Sequence, residues 1–219
     1  TRKESSAASD VYKRQAKTSF ENIELELQKI IQKGYTKRST NDVYQIPLVI
    51  HVMHLGEDIG VGNNISDAQI MSGVEQLNDA FRNVDGQGID SEIEFILAKQ
   101  DPNCNPSTGI VRFDASGIAN YLTDGIAINS LGADEITLKA ASKWSNTDYY
   151  NIWIVSEIEG NNGGFGTQGY AYFPGTSGAK DGTIILNTAW GNTGTANSWN
   201  NQSCLLYTSD AANDSLRVD

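Results

Sequence analysis

The sequence predicts an α/β (α+β) domain, a mixed and twisted sheet with helices packed against it. Three observations carry that expectation. Ile46–His54 is apolar at consecutive positions, as a strand covered on both faces must be. Ile65–Asn83 carries a single apolar stripe, Ile70, Val74, Leu77 and Phe81, the pattern of a helix lying on a sheet. Asn151–Asn187 divides into three short β-type runs separated by glycine-rich connections. Strand, helix and strand in that order favour a crossover onto one sheet, with Ile46–Val52 central.

Composition narrows the partners. The 219 residues suit one sizeable domain, and the net charge of -11 argues against nucleic acid, which selects a basic surface. No apolar run approaches the roughly 20 residues of a membrane span. Cys104 and Cys204 permit at most one disulfide.

The two ends read as foreign. Asp10–Gln15 and Cys204–Ser209 can be encoded by the two strands of one short DNA element, read in shifted frames. Such an inverted pair is similar to a transposon end used in sequencing libraries. Residues 1–15 and 204–219 are therefore set aside from fold reasoning as adapter-like segments. They are expected to pack poorly and to share no core.

Taken in order, Ser19–Gly34 has helical spacing at Phe20, Ile23, Leu27, Ile30 and Ile31, with Gly34 as a stop. Thr36–Asp42 is polar and linker-like. His51 and His54, the two histidines, stand three apart on the first strand and so on opposite faces, which suits structural roles and not one shared metal ion. The helix over Ile65–Asn83 opens with Ser66 and Gln69 as a capping box and Ile65 and Ile70 as a hydrophobic staple. Capping accounts for Ser66 better than the glycosylation sequon Asn64-Ile65-Ser66 does. Ile93, Phe95 and Leu97 alternate as a second strand, Asp101–Pro106 is a turn, and Gly109–Phe113 is a third strand. Cys104, in that turn, has no base beside it in sequence and reads as a free thiol. Asp114–Asn129 reads as loop with a helical turn, and Ala133–Lys143 as a short helix. The last three strands are Asn151–Val155, Gly169–Phe173 and Gly182–Asn187, with the loop Gly160–Gly169 and the Pro174-Gly175 turn between them.

Several runs, in this order, resemble the pappalysin-like (cytophagalysin-type) metzincin zinc metalloproteases of bacteria. They are Tyr44–Val52, Asn64–Ile70 with Leu77-Asn78 and Phe81-Arg82, Phe95 through Asp101-Pro102, Gly109–Arg112, Trp144 before Tyr150–Ile154, Gly169–Gly175, and Asp181-Gly182. They span nearly all of Tyr44–Asn187. The resemblance implies a metzincin-like N-terminal subdomain over residues 44–203, incomplete. It also implies a pro-segment tail over residues 16–43, although a helix that packs on the domain satisfies the same residues.

The family's zinc signature, His-Glu-x-x-His-x-x-Gly-x-x-His, does not occur in the sequence, and it should begin shortly after Asn201. The resemblance therefore implies a fragment of a secreted zinc-dependent endopeptidase that lacks the ligands for Zn²⁺, and no residue here is assigned a catalytic role. It implies that Gly169, Tyr170, Ala171, Tyr172 and Phe173 form an edge strand whose backbone holds a peptide or protein substrate. It implies further that Gly182–Leu186 loses part of its cover with the second half missing. Glu159–Gly166 could offer carbonyls to Ca²⁺, with few carboxylates to help. The alternative is a non-enzymatic secreted α/β module that binds a peptide or partner by the same edge.

Overall fold

A computed structural model describes residues 43–196, apart from 87, 129–130 and 173–176, together with Leu25, Gln28 and Lys29. Contacts divide the chain into two units, Thr1–Asp42 and Val43–Asp219. In the first, Leu25, Gln28 and Lys29 are helical and exposed, and the rest of the Ser19–Gly34 expectation lies outside the described residues. So do both adapter-like segments.

The second unit consists of β1 (Tyr44–His54), α1 (Asp67–Phe81), β2 (Ile93–Leu97), β3 (Ile110–Asp114), α2 (Tyr121–Asp124), α3 (Glu135–Ala140), β4 (Tyr150–Val155), β5 (Gly169–Ala171) and β6 (Thr183–Leu186). Its strands form one six-stranded mixed sheet in the order β2-β1-β4-β6-β5. The eleven-residue β1 is long enough to take two partners in succession on one side. Its first half pairs with β2 and its second half with β3, while β4 pairs with its middle from the other side. All of these pairs are parallel, as is β4 with β6; β5 alone runs antiparallel, on β6.

Paired residues share a face, so the register sorts the core into two. Ile46, Leu48, Ile50 and Val52 lie with Phe95, Tyr150, Ile152, Ile154 and Ile185. This face meets α1, where Phe81 packs edge-on against Phe95 at 5.0 Å. Leu48 and Ile50 are fully buried, as a central strand requires. Val49, His51 and Met53 lie on the other face with Asn151, Trp153, Val155, Ile184 and Leu186. That face meets α3, whose Lys139 sits over the Trp153 ring.

α1 starts as its sequence demands, with Ser66 accepting a hydrogen bond from the Gln69 amide at 3.2 Å. The reciprocal half of the capping box does not form. Gln69 instead turns inward, and its side chain holds the segment after β6: Nε2 donates to the carbonyls of Asn187 (2.8 Å) and Trp190 (3.0 Å), and Oε1 accepts from the amide and hydroxyl of Thr195. Trp190 fills the space over Gly73, where a Cβ would stand 2.3 Å from the indole, and its Nε1 donates to Ile70 O. The expected loss of cover at β6 does not occur: Thr183, Ile184, Ile185 and Leu186 are all buried. The Asn64 sequon is likewise spoken for. Asn64 is buried, donates to Glu57 O and accepts from Arg112, which also takes Ile65 O and Asp67.

Candidate peptide-binding edge

β5 closes one end of the sheet, and among the described residues no strand lies beyond it. It pairs with β6 as Gly169 with Ile185, Tyr170 with Ile184 and Ala171 with Thr183, and the Leu186 amide donates to Gln168 O at 2.9 Å. Antiparallel strands alternate bonded and non-bonded pairs. Gln168 and Tyr170 therefore turn their backbone groups to β6, and Gly169 and Ala171 turn theirs outward. The outward groups thus belong to the two smallest residues of the strand, so no bulky side chain stands beside them. An incoming extended chain finds N–H and C=O groups at the spacing of a ladder.

The larger residues, Tyr170 and Tyr172, point to the α3 face instead and meet edge-on at 6.0 Å. The Tyr172 hydroxyl donates to Glu135 Oε2 at 2.5 Å. Glu135 Oε1 faces the Lys139 ammonium at 2.8 Å, one helical turn on, as an ion pair without hydrogen-bond alignment. Lys139 is fully buried, and its Nζ donates to Lys180 O (2.5 Å) and Gly182 O (3.4 Å), between the rings of Trp153 and Tyr172. Burial pulls the Lys139 pKa down, opposed by Glu135. Burial, and then the Glu135 charge, push the Tyr170 hydroxyl well above the usual phenol range, and that hydroxyl is buried with no hydrogen-bond partner among the described residues. Gly182, at φ +101°, is required where it stands, because a Cβ would meet Asn151 O at 2.6 Å and the Trp153 ring at 2.7 Å.

The sequence placed the strand correctly and overextended it. Regular pairing stops at Ala171, Tyr172 continues without it, and Phe173 lies outside the described residues. Glu135, Lys139 and Trp153 carried no sequence signal of a shared site. A Glu and a Lys four apart on a helix ordinarily read as an exposed pair, and only the tertiary fold sinks this one.

The histidines go where the strand's alternation sends them. His51 is buried, stacks on Trp153 at 4.9 Å, and donates from Nε2 to Asn151 Oδ1 at 2.9 Å. That leaves Nδ1 an acceptor with no partner among the described residues, and burial lowers the ring's pKa to about 4, against the opposing Asn151 bond. His54 sits at the strand end, where Nδ1 accepts from the Gly56 amide. No three His, Cys, Asp or Glu side chains gather among the described residues in a way that could hold a metal ion. With its histidines committed to opposite faces, this part of the chain does not fit zinc. The 159–166 loop closes on itself: Asn161 donates to Thr167 O, and Gln168 to the carbonyls of Gly164 and Gly166. Two of its carbonyls, those of Gly164 and Gly166, are thus engaged by a side-chain amide, and that of Asn161 by the Ile158 backbone amide. Cys104 is an exposed free thiol in a turn that Asp101 organises by accepting the amides of Asn103 and Asn105. No described helix is long and apolar enough to cross a membrane.

No protein-family model and no curated protein matches the chain. Solved structures do. Mirolysin in complex with compound 9 superposes with a TM-score of 0.57 at 27% identity, over 74% of this chain and 59% of that one. Mature mirolysin of Tannerella forsythia in complex with a cleaved peptide gives 0.55 at 28% identity, with 74% and 59% covered. A mutant Tannerella forsythia promirolysin gives 0.52 at 28% identity, with 74% and 52% covered. This chain therefore spans between half and three fifths of these three structures. Mirolysin is a metalloprotease, and the superposition gives this chain a metalloprotease-related fold at moderate similarity.

Proposed function

We propose that the chain is the N-terminal part of the catalytic domain of a secreted, pappalysin-like zinc metalloendopeptidase, and that β5 is where an extended peptide lies. One observation carries the reading: an antiparallel edge with no strand beyond it among the described residues, whose outward backbone groups belong to Gly169 and Ala171. The peptide-bound mirolysin structure supports it by analogy of fold. Peptide-bond hydrolysis is proposed of the whole protein only. The described residues do not fit zinc, so no chemical step is assigned to them, and this chain alone is proposed to hold peptide without cutting it.

The test uses proline. In Ala171→Pro the lost N–H faces outward, so the β6 ladder is kept and only the edge is blocked. Binding of a fluorescent hexapeptide of alternating threonine and valine should weaken about tenfold or more, with the far-ultraviolet spectrum unchanged. Tyr170→Pro, which removes an inward N–H, should damage the fold itself. Equal binding by wild type and Ala171→Pro would sink the edge reading. Casein cleavage by this chain that a chelator abolishes would overturn the second half of the proposal.

A further inference from the structure

The β5 ladder is three residue pairs long, and a ladder that short holds an edge strand weakly. Past its end, the chain is caught a second time. Tyr172 has left the ladder, yet its hydroxyl donates to Glu135, which faces Lys139, which in turn binds the carbonyls of Lys180 and Gly182 just before β6. A single buried ammonium thus joins α3, the approach to β6 and, through one carboxylate, the end of β5. The carboxylate uses one oxygen toward each neighbour, so the connection is continuous. Tyr170 offers the contrast: two residues earlier and on the same face, it has a buried hydroxyl with no hydrogen-bond partner among the described residues.

We propose that Tyr172, Glu135 and Lys139 are positioning residues for the β5 edge. They fix the strand at the height and twist at which the Gly169 and Ala171 backbone groups meet an incoming chain. None of the three touches the peptide; each acts through the strand. This inference rests on the edge reading above.

Tyr172→Phe and Tyr170→Phe separate the roles, since each deletes one hydroxyl and keeps its ring. By register the Tyr170 amide donates to β6, so its hydrogen exchange reports the ladder. Tyr172→Phe should raise that exchange about tenfold, the worth of one hydrogen bond to a charged group, with β1 and β4 amides unchanged. Tyr170→Phe should stay within about twofold of wild type, because no bond is lost. Affinity for the threonine–valine hexapeptide should fall about five- to tenfold in Tyr172→Phe alone, as pre-organisation is lost. Unchanged exchange in Tyr172→Phe overturns the proposal whatever the peptide does. A rise spread evenly over β1, β4 and β5 also overturns it, by making the network a general support. Faster β5 exchange with no peptide binding even by wild type leaves positioning standing and removes the edge reading.

Discussion

On the face under α1, β1 contributes Ile46, Leu48, Ile50 and Val52; on the face under α3 the same strand contributes Val49, His51 and Met53. Both faces are buried, but they achieve it differently. On the first, the sheet's own side chains are aliphatic and aromatic with one hydroxyl pair, Tyr150 and Thr183 at 2.6 Å, and the buried polar groups Gln69 and Ser72 belong to α1. The second buries an imidazole, a lysine, a glutamate and Asn151, whose side chain bonds to the backbone of Trp144 and Tyr149. Apolar packing is tolerant of exchange, because a lost methylene costs only its own transfer and cavity. A buried polar network is not, because removing one member strands the next. The polar face is also the one that reaches the edge strand, through Tyr172. The side of the sheet less tolerant of substitution is thus the one beside the proposed peptide site.

The largest effect should come from the ion pair. Lys139→Met leaves Glu135 buried without its cation, at a cost of about 3–5 kcal/mol. Adding Glu135→Leu should recover most of that loss, since a well-packed apolar pair replaces a buried ionic one at little cost. Urea unfolding of the single and double variants measures both. If the single variant loses less than about 1 kcal/mol, the pair is an ordinary surface bridge and the contrast between the faces fails.

His51 comes next, and its effect depends on pH. Its folded pKa of about 4 lies below the free value of 6.5, so the fold favours the neutral ring. That preference is fully present above pH 6.5 and is lost as pH falls through 6.5 toward 4, because the unfolded chain takes the proton first. The loss totals about 3 kcal/mol at roughly 1.36 kcal/mol per unit. His51→Phe should remove this part of the acid sensitivity, read as a flatter curve of unfolding free energy between about pH 7 and pH 4. An unchanged curve would mean that the imidazole is not neutral in the fold.

At Gly73 the aliphatic face itself becomes intolerant. A methyl there meets the Trp190 indole, and Gly73→Ala should cost about 1–3 kcal/mol by overpacking. In a solvent-exposed helix the same change would stabilise, by roughly 0.8–1.0 kcal/mol. The sign of the measured change therefore reports whether residues 187–195 are docked on α1.

Sequence made the aliphatic face legible and left the polar one obscure. β1 and α1 announce themselves because burial on a strand or helix repeats at a fixed period, and period is visible in one dimension. Ser66 was readable as a cap for the same local reason. Gln69 was not: its fourfold grip on Asn187, Trp190 and Thr195 joins residues more than a hundred positions apart, and locally it looks like half of a capping box. Glu135 and Lys139 are spaced as an exposed helical pair. Tyr170 and Tyr172 show which face they share, but not that one hydroxyl is bonded while the other has no partner among the described residues. Non-local polar partners leave no periodic trace.

The smallest predicted effect sharpens the comparison most. Ile50 is fully buried in the middle of β1, with Ile110 on one side of it in register and Ile152 on the other. Ile50→Val deletes one methylene among neighbours that can settle by small rotations, and it leaves no donor, acceptor or charge without a partner. The cost should be about 0.5–1.5 kcal/mol. It should also be the same at about pH 5 and pH 7.5, since no group facing that position through the register titrates in this range, whereas the His51 contribution must differ between the two. Urea unfolding of Ile50→Val and His51→Phe at both pH values makes the measurement. A pH-dependent cost at Ile50 would mean that the faces are coupled through the strand and that the division into a tolerant and an intolerant side is wrong.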